Sequence, residues 1–189
     1  MKEWQLTGLS IMDHIDIDGY RANVGMIVAN VNGLVLLGGR FNQSGWQFPQ
    51  GGIRVHETPE EAMYRELAEE IGLSRDNVEL MGETRDWLRY QLPNRYIRKH
   101  TDPVCIGQKQ RWLMVRLITT ERILRLDTMD KPEFDRWQWV EYWRPVKEVI
   151  YFKRQVYVQA LLELGPLLFA NGIPEQPRWW PKEWLPAPD

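Results

Sequence analysis

Residues 51–73 read GGIRVHETPEEAMYRELAEEIGL, and the architecture can be built outward from this stretch. Thr58 is a good N-cap, Pro59 suits the first helical position, and Glu61 completes a capping box with Thr58. Gly72 closes the far end, so the pattern predicts a helix over residues 58–73. Within it, Glu66, Glu69 and Glu70 stand three and four residues apart and share one face. Three adjacent carboxylates repel one another and weaken a helix unless a cation lies among them. Oxygen-only ligands favour hard ions, Mg²⁺ or Mn²⁺. Such ions neutralise phosphate oxygens and activate water. Taken alone, Glu-x-x-Glu-Glu is more often a solvated acidic face.

On the N-terminal side, Val24, Met26, Ile27 and Val28 form one apolar run and residues 34–37 another. Asn32-Gly33 between them is a hairpin signal. Residues 46–49 form a short extended piece. On the C-terminal side, strand-like segments fall at 78–83, 85–90, 111–118 and 137–140. A second helix is expected from about 152 to 164, stopped or kinked by Gly165-Pro166. From Pro174 onward, five Pro and three Trp predict a non-regular end. The reading is a mixed α/β domain over 17–165, an N-terminal extension over 1–16 with Met12 as an alternative start, and a Trp/Pro-rich tail over 166–189.

A formal net charge of -2 gives no global field to draw the protein onto a polyanion, so any such affinity needs a local patch or a metal. Arg85, Arg89, Arg95, Arg98 and Lys99, with Lys109 and Arg111 after them, are the candidate patch. The competing reading is scattered surface charge. Cys105 is the only cysteine, which excludes an internal disulfide and a cysteine-based zinc site. It also suits a reducing cytoplasm, the expected location. His14, His56 and His100 have no partners at ligand spacing. No run reaches the length of a membrane-spanning helix, and phosphate-loop and dinucleotide glycine motifs are absent.

Gly51, Glu57, Arg65, Glu66, Leu67, Glu69, Glu70, Gly72 and Leu73 match all nine fixed positions of the signature Gly-x5-Glu-x7-Arg-Glu-aliphatic-x-Glu-Glu-x-Gly-aliphatic. The chain thereby resembles the Nudix hydrolases. The resemblance implies an α/β Nudix fold, a mixed β-sheet sandwiched between α-helices, with a loop–helix–loop that holds metal. It implies that Glu66, Glu69 and Glu70 bind metal with the Gly51 carbonyl, and that Glu57 and Arg65 brace the loop against the helix. Glu66 is the expected base for water, although the base varies within the family.

Further stretches also stand out: Gly19-Tyr20-Arg21-Ala22-Asn23-Val24-Gly25, Trp46-Gln47-Phe48-Pro49-Gln50, Trp87-Leu88-Arg89-Tyr90, Pro103-Val104-Cys105-Ile106-Gly107-Gln108-Lys109-Gln110, Pro132-Glu133-Phe134-Asp135 and Phe152-Lys153-Arg154. They resemble the bacterial RNA 5′-pyrophosphohydrolases, a branch that includes dinucleoside polyphosphate hydrolases. The resemblance implies that Glu133 is a further metal carboxylate and that Arg40 and Phe152 sandwich an RNA base. It places Arg21, Tyr90, Gln108 and Lys153 near phosphates or backbone. The implied partner is 5′-phosphorylated RNA, with dinucleoside polyphosphates as the alternative and a non-catalytic nucleotide-binding module as the third reading. No DNA or membrane partner is expected, and a protein activator is not legible. Three features depart from the pattern: Val55-His56, where many relatives have Pro-Gly, the bulky Tyr151 beside Phe152, and the Trp/Pro tail.

Overall fold

The two apolar runs become β1 (Tyr20–Ala29) and β2 (Val35–Arg40), joined by a turn in which Gly33 takes φ +75°. They pair only beside that turn, Ala29 opposite Val35. Beyond it β1 lies parallel to β7 (Gly107–Leu117) along its whole length, Tyr20 opposite Gly107 and Ala29 opposite Arg116. The structure is a computed structural model that describes residues 15–97 and 103–180. The expectations for Met12, His14, Arg98, Lys99, His100 and the last part of the tail lie outside the described residues.

The remaining strands complete a mixed sheet. β3 (Trp46–Gln47) and β8 (Phe134–Val140) pair antiparallel with β2, and β4 (Gln50–Gly52) with β1. β5 (Val78–Glu83) and β6 (Leu88–Gln91) both run antiparallel to β7. Because side chains alternate along a strand, β1 serves two cores. Ala22, Val24, Met26 and Val28 pack with Ala62, Met63, Leu67 and Ile71 of α1 (Pro59–Ile71). Ile27 and Ala29 face the other way, with Trp112 and Met114 of β7, towards Val156, Tyr157, Ala160 and Leu161 of α3 (Arg154–Leu168). The sheet is therefore sandwiched between helices.

The α1 termini follow the sequence reading: Thr58 caps, the box with Glu61 is closed on both sides, and Gly72 ends the helix at φ +72°. The second helix differs. It runs to Leu168 with Pro166 inside it, past the expected stop at Gly165-Pro166. Proline there removes one hydrogen bond in the final turn, and Phe169 N–H still reaches the Gly165 carbonyl at 3.0 Å. A short helix, α2 (Arg144–Glu148), precedes it and carried no recognised start signal in the sequence. No helix among the described residues is long and apolar enough to cross a membrane.

Candidate active site

The turn between β4 and α1 is held by one guanidinium. Arg65 Nε and Nη2 donate to the two oxygens of Glu57 at 2.7 and 2.8 Å, and Nη2 also donates to the Gly52 carbonyl at 2.8 Å. Nη1 donates to Glu66 at 2.6 Å and to Glu69 at 3.3 Å. Burial works against ionisation of Glu57, but the Arg65 bonds, the Arg54 backbone N–H and both arginine charges outweigh it and hold the carboxyl below its ordinary value. In the same turn His56 sits at φ +72°, a left-handed conformation that a side chain disfavours by about 1–2 kcal/mol. The loop thus keeps a glycine-like backbone while carrying an imidazole.

Gly51 is needed for a different reason. A Cβ there would lie 1.7 Å from the Glu66 carboxyl carbon, so only glycine lets that carboxylate lie against the β4 backbone. Burial pushes the Glu66 carboxyl up, against the opposing pull of Arg65. Glu70 accepts the Gln50 backbone N–H at 3.0 Å. Burial, with the charges of Glu66 and Glu133, raises its carboxyl well above the ordinary value. Glu133 accepts from Gln47 Nε2 at 3.1 Å and lies 3.7 Å from Arg40.

Among the described residues, no three of these carboxylates converge as they stand on a point that would hold an ion. Arg65 Nη1 bridges Glu66 and Glu69, while Glu70 is turned to the Gln50 N–H. The donor set nevertheless suits a hard cation: all oxygen, on a short backbone approach, with like charges that burial leaves poorly compensated.

The wall facing the carboxylates is built from the turn before α3. Lys153 is only 5% exposed, and its Nζ donates to Gln50 Oε1 at 2.9 Å. Burial, reinforced by the Arg40 charge, lowers its pKa to about 8 despite Glu133 and Glu70. The Phe152 ring lies 5.8, 5.5 and 5.4 Å from Tyr90, Tyr96 and Tyr151. Between the walls is a cleft of about 450 Å³, into which β1 and β7 bring Arg21, Asn23 and Gln108. Ten of the thirteen residues expected from sequence line it; Glu57, Arg65 and Tyr90 do not. Tyr90 is buried behind the surface and donates its hydroxyl to Gln108 Oε1 at 2.6 Å.

A family model described as NUDIX domain matches residues 19–160. The chain belongs to the NUDIX family. It is 58% identical over 163 residues to an RNA pyrophosphohydrolase of Alkalilimnicola ehrlichii, covering 86% of this chain and 90% of that one. To an RNA pyrophosphohydrolase of Thioalkalivibrio sulfidiphilus it is also 58% identical, over 87% of this chain and 95% of the relative. Among solved structures, the fold is similar to the dihydroneopterin triphosphate pyrophosphohydrolase of E. coli, with a TM-score of 0.56 at 16% identity, covering 73% of this chain and 92% of that one.

Use of divalent cations is general in the NUDIX family. Sequence reasoning missed Lys131, Gln50, Asn23 and Tyr96 at the NUDIX cleft. Asn23 and Gln50 lie inside the quoted motifs and were legible there, whereas Lys131 belongs to no pattern. Among the described residues of the basic run, Lys109 and Arg111 are engaged in ion pairs away from the cleft. Lys109 pairs with Asp16 at 2.9 Å and Arg111 with Glu83 at 2.9 Å. Both point away from the Gln108 side of β7, as strand alternation requires. Arg95 instead packs 4.9 Å from Tyr96 at the cleft.

Proposed function

We propose that this chain is a metal-dependent RNA 5′-pyrophosphohydrolase, which cleaves a phosphoanhydride bond at a tri- or diphosphorylated 5′ end and leaves a 5′-monophosphate, so priming mRNA decay in the cytoplasm. The observation that carries the reading is one cleft in which a carboxylate helix faces the buried Lys153, the half-buried Arg21 and Arg40 and an aromatic wall, in a chain closely similar to RNA pyrophosphohydrolases.

Glu66, Glu69, Glu70 and Glu133, with the Gly51 carbonyl, are the groups assigned to hold Mg²⁺, or Mn²⁺ in its place; the ion supplies neutralisation of phosphate oxygens and activation of water. Glu66 takes the proton of the attacking water. The water oxygen bonds to phosphorus as the anhydride P–O bond breaks; a triphosphorylated end releases pyrophosphate, or two phosphates in succession, and a diphosphorylated end releases one phosphate. Arg21, Gln108 and Lys153 bind the phosphates, and Tyr90 acts through Gln108. Its hydroxyl occupies Oε1, which turns the Gln108 amide N–H groups to the substrate. Arg40 and Phe152 offer flat faces on which a single-stranded base stacks.

The test compares triphosphorylated RNA with diadenosine tetraphosphate at matched Mg²⁺, pH and ionic strength. RNA is expected to show the higher kcat/KM, release pyrophosphate or phosphate, and lose rate more steeply as salt rises. A clear preference for the dinucleotide would replace this reading with that of a dinucleoside polyphosphate hydrolase. Inactivity on both would leave a nucleotide-binding module.

A further inference from the structure

The segment after α3 has no part in the chemistry, yet it is built into the same corner as the stacking wall. The buried Trp143 immediately precedes α2 and donates its indole N–H to the Pro174 carbonyl at 2.8 Å. Trp180 meets Trp143 edge-on, with ring centroids 4.9 Å apart. Ile173 lies against Gly165 of α3, so close that a Cβ on Gly165 would meet Ile173 Cγ2 at 2.3 Å. Tyr142 donates its hydroxyl to the Leu161 carbonyl at 2.7 Å, and its ring meets Phe169 at 4.9 Å. Pro174 and Trp180 thus touch the residue before α2, while the neighbouring Ile173 touches the last turns of α3.

Between those two contacts the chain makes a corner. From α2 it passes through Ile150, Phe152 and Lys153, all lining the cleft, and enters α3. The tail closes the open end of this helix pair, and the cleft wall is its apex. From the apex the connection continues through Lys153 Nζ to Gln50 Oε1 and from the Gln50 N–H to Glu70.

We propose that the segment after α3, through its contacts at Phe169, Ile173, Pro174 and Trp180, is a clasp that positions the 150–153 wall for the substrate, with Trp143 and Trp180 as its positioning residues. This rests on the function proposed above. Opening the clasp lets the apex spread, which weakens base stacking and phosphate binding but leaves the carboxylate helix intact. The effect falls on KM for RNA rather than on kcat.

The test uses the full chain with Trp180→Ala, and with Trp179→Ala as the control, because Trp179 is exposed and its ring meets Trp180 on the exposed side while Trp180 meets Trp143. Trp180→Ala is expected to raise KM for triphosphorylated RNA about three- to tenfold, part of a stacking contribution, with kcat kept. Trp179→Ala is expected to stay within about twofold of the parent. Independently of activity, the Lys153 N–H, bonded to the Ile150 carbonyl at 3.0 Å, should lose hydrogen-exchange protection in Trp180→Ala. A lower melting temperature with unchanged KM and unchanged Lys153 exchange would reduce the tail to packing and overturn the proposal. If the parent protein does not hydrolyse RNA, the function fails while the exchange experiment still judges the clasp.

Discussion

Removing the Arg65 guanidinium tests the brace directly. In Arg65→Ala, five hydrogen bonds go at once: two to Glu57, one each to Glu66, Glu69 and the Gly52 carbonyl. The Arg65 and Glu57 side chains are 17% and 14% exposed, between the surface pairs worth about 0–1 kcal/mol and the buried pairs whose disruption costs about 3–5 kcal/mol. A loss of about 2–3 kcal/mol follows. For a domain of this size each kcal/mol moves Tm by about 2–4 °C, so melting in a chelator should fall by roughly 4–12 °C. Arg65→Lys keeps the charge without the fork and should lose about half as much. The pH dependence identifies the partner. Glu57 has its folded pKa depressed below the ordinary 4.5, so its share of the stability is present above that value and disappears as pH falls through the folded one. The gap between parent and variant should be full near neutral pH and narrow below the ordinary carboxylate range. Thermal melts across that range are the assay. An Ala variant melting within about 1 °C of the parent at neutral pH would refute the brace, and a gap indifferent to acid would refute Glu57 as its partner.

Two further perturbations address the chemistry. Glu66→Gln and Glu70→Gln should each lose about two to four orders of magnitude in turnover with no drop in metal-free Tm, because like-charge repulsion is relieved. Mg²⁺ should stabilise the parent more than either variant. Near-normal turnover at saturating Mg²⁺ would remove them from the metal site. Phe152→Ala should weaken RNA binding by about 1–3 kcal/mol while barely affecting hydrolysis of a short nucleotide lacking the stacked base. Because Phe152 also packs on three tyrosines, Phe152→Leu serves as the folded comparison. Parent-like RNA binding by a folded Leu variant would return Phe152 to the core.

What the sequence revealed, and what it concealed, follows from the range of the forces involved. The α1 helix was legible because its caps are local: Thr58, Pro59, Glu61 and Gly72 act within a turn of where they stand. Strand β5 was legible from its own composition, with the expected and observed 78–83 the same. The continuation of α3 through Pro166 was not, since it depends on Tyr142 and Ile173 packing on Gly165 from outside the helix. At the cleft, signature spacing pointed to the carboxylates, whereas Lys131 is recruited only because its loop is anchored to α1, through Thr128 to the Glu69 carbonyl and Arg125 N–H to the Ile71 carbonyl. The disposition of the basic run was hidden for a related reason. Neighbours in sequence on adjoining strands alternate between faces, and ion pairing to Asp16 and Glu83 is invisible in one dimension.

The parallel ladder of β1 and β7 also bears on when the site comes into being. Asn23 meets Gln110 across 87 positions of chain, and contacts between residues so far apart form slowly because a long loop must first be closed. During synthesis, α1 and its acidic face emerge well before the strand that brings Gln108 into the cleft, and the Phe152–Lys153 wall emerges later still. A nascent chain can carry the complete signature stretch, Gly51 to Leu73, with no site around it to use. The complete cleft arises only once the last third of the molecule has left the ribosome and folded back onto the first.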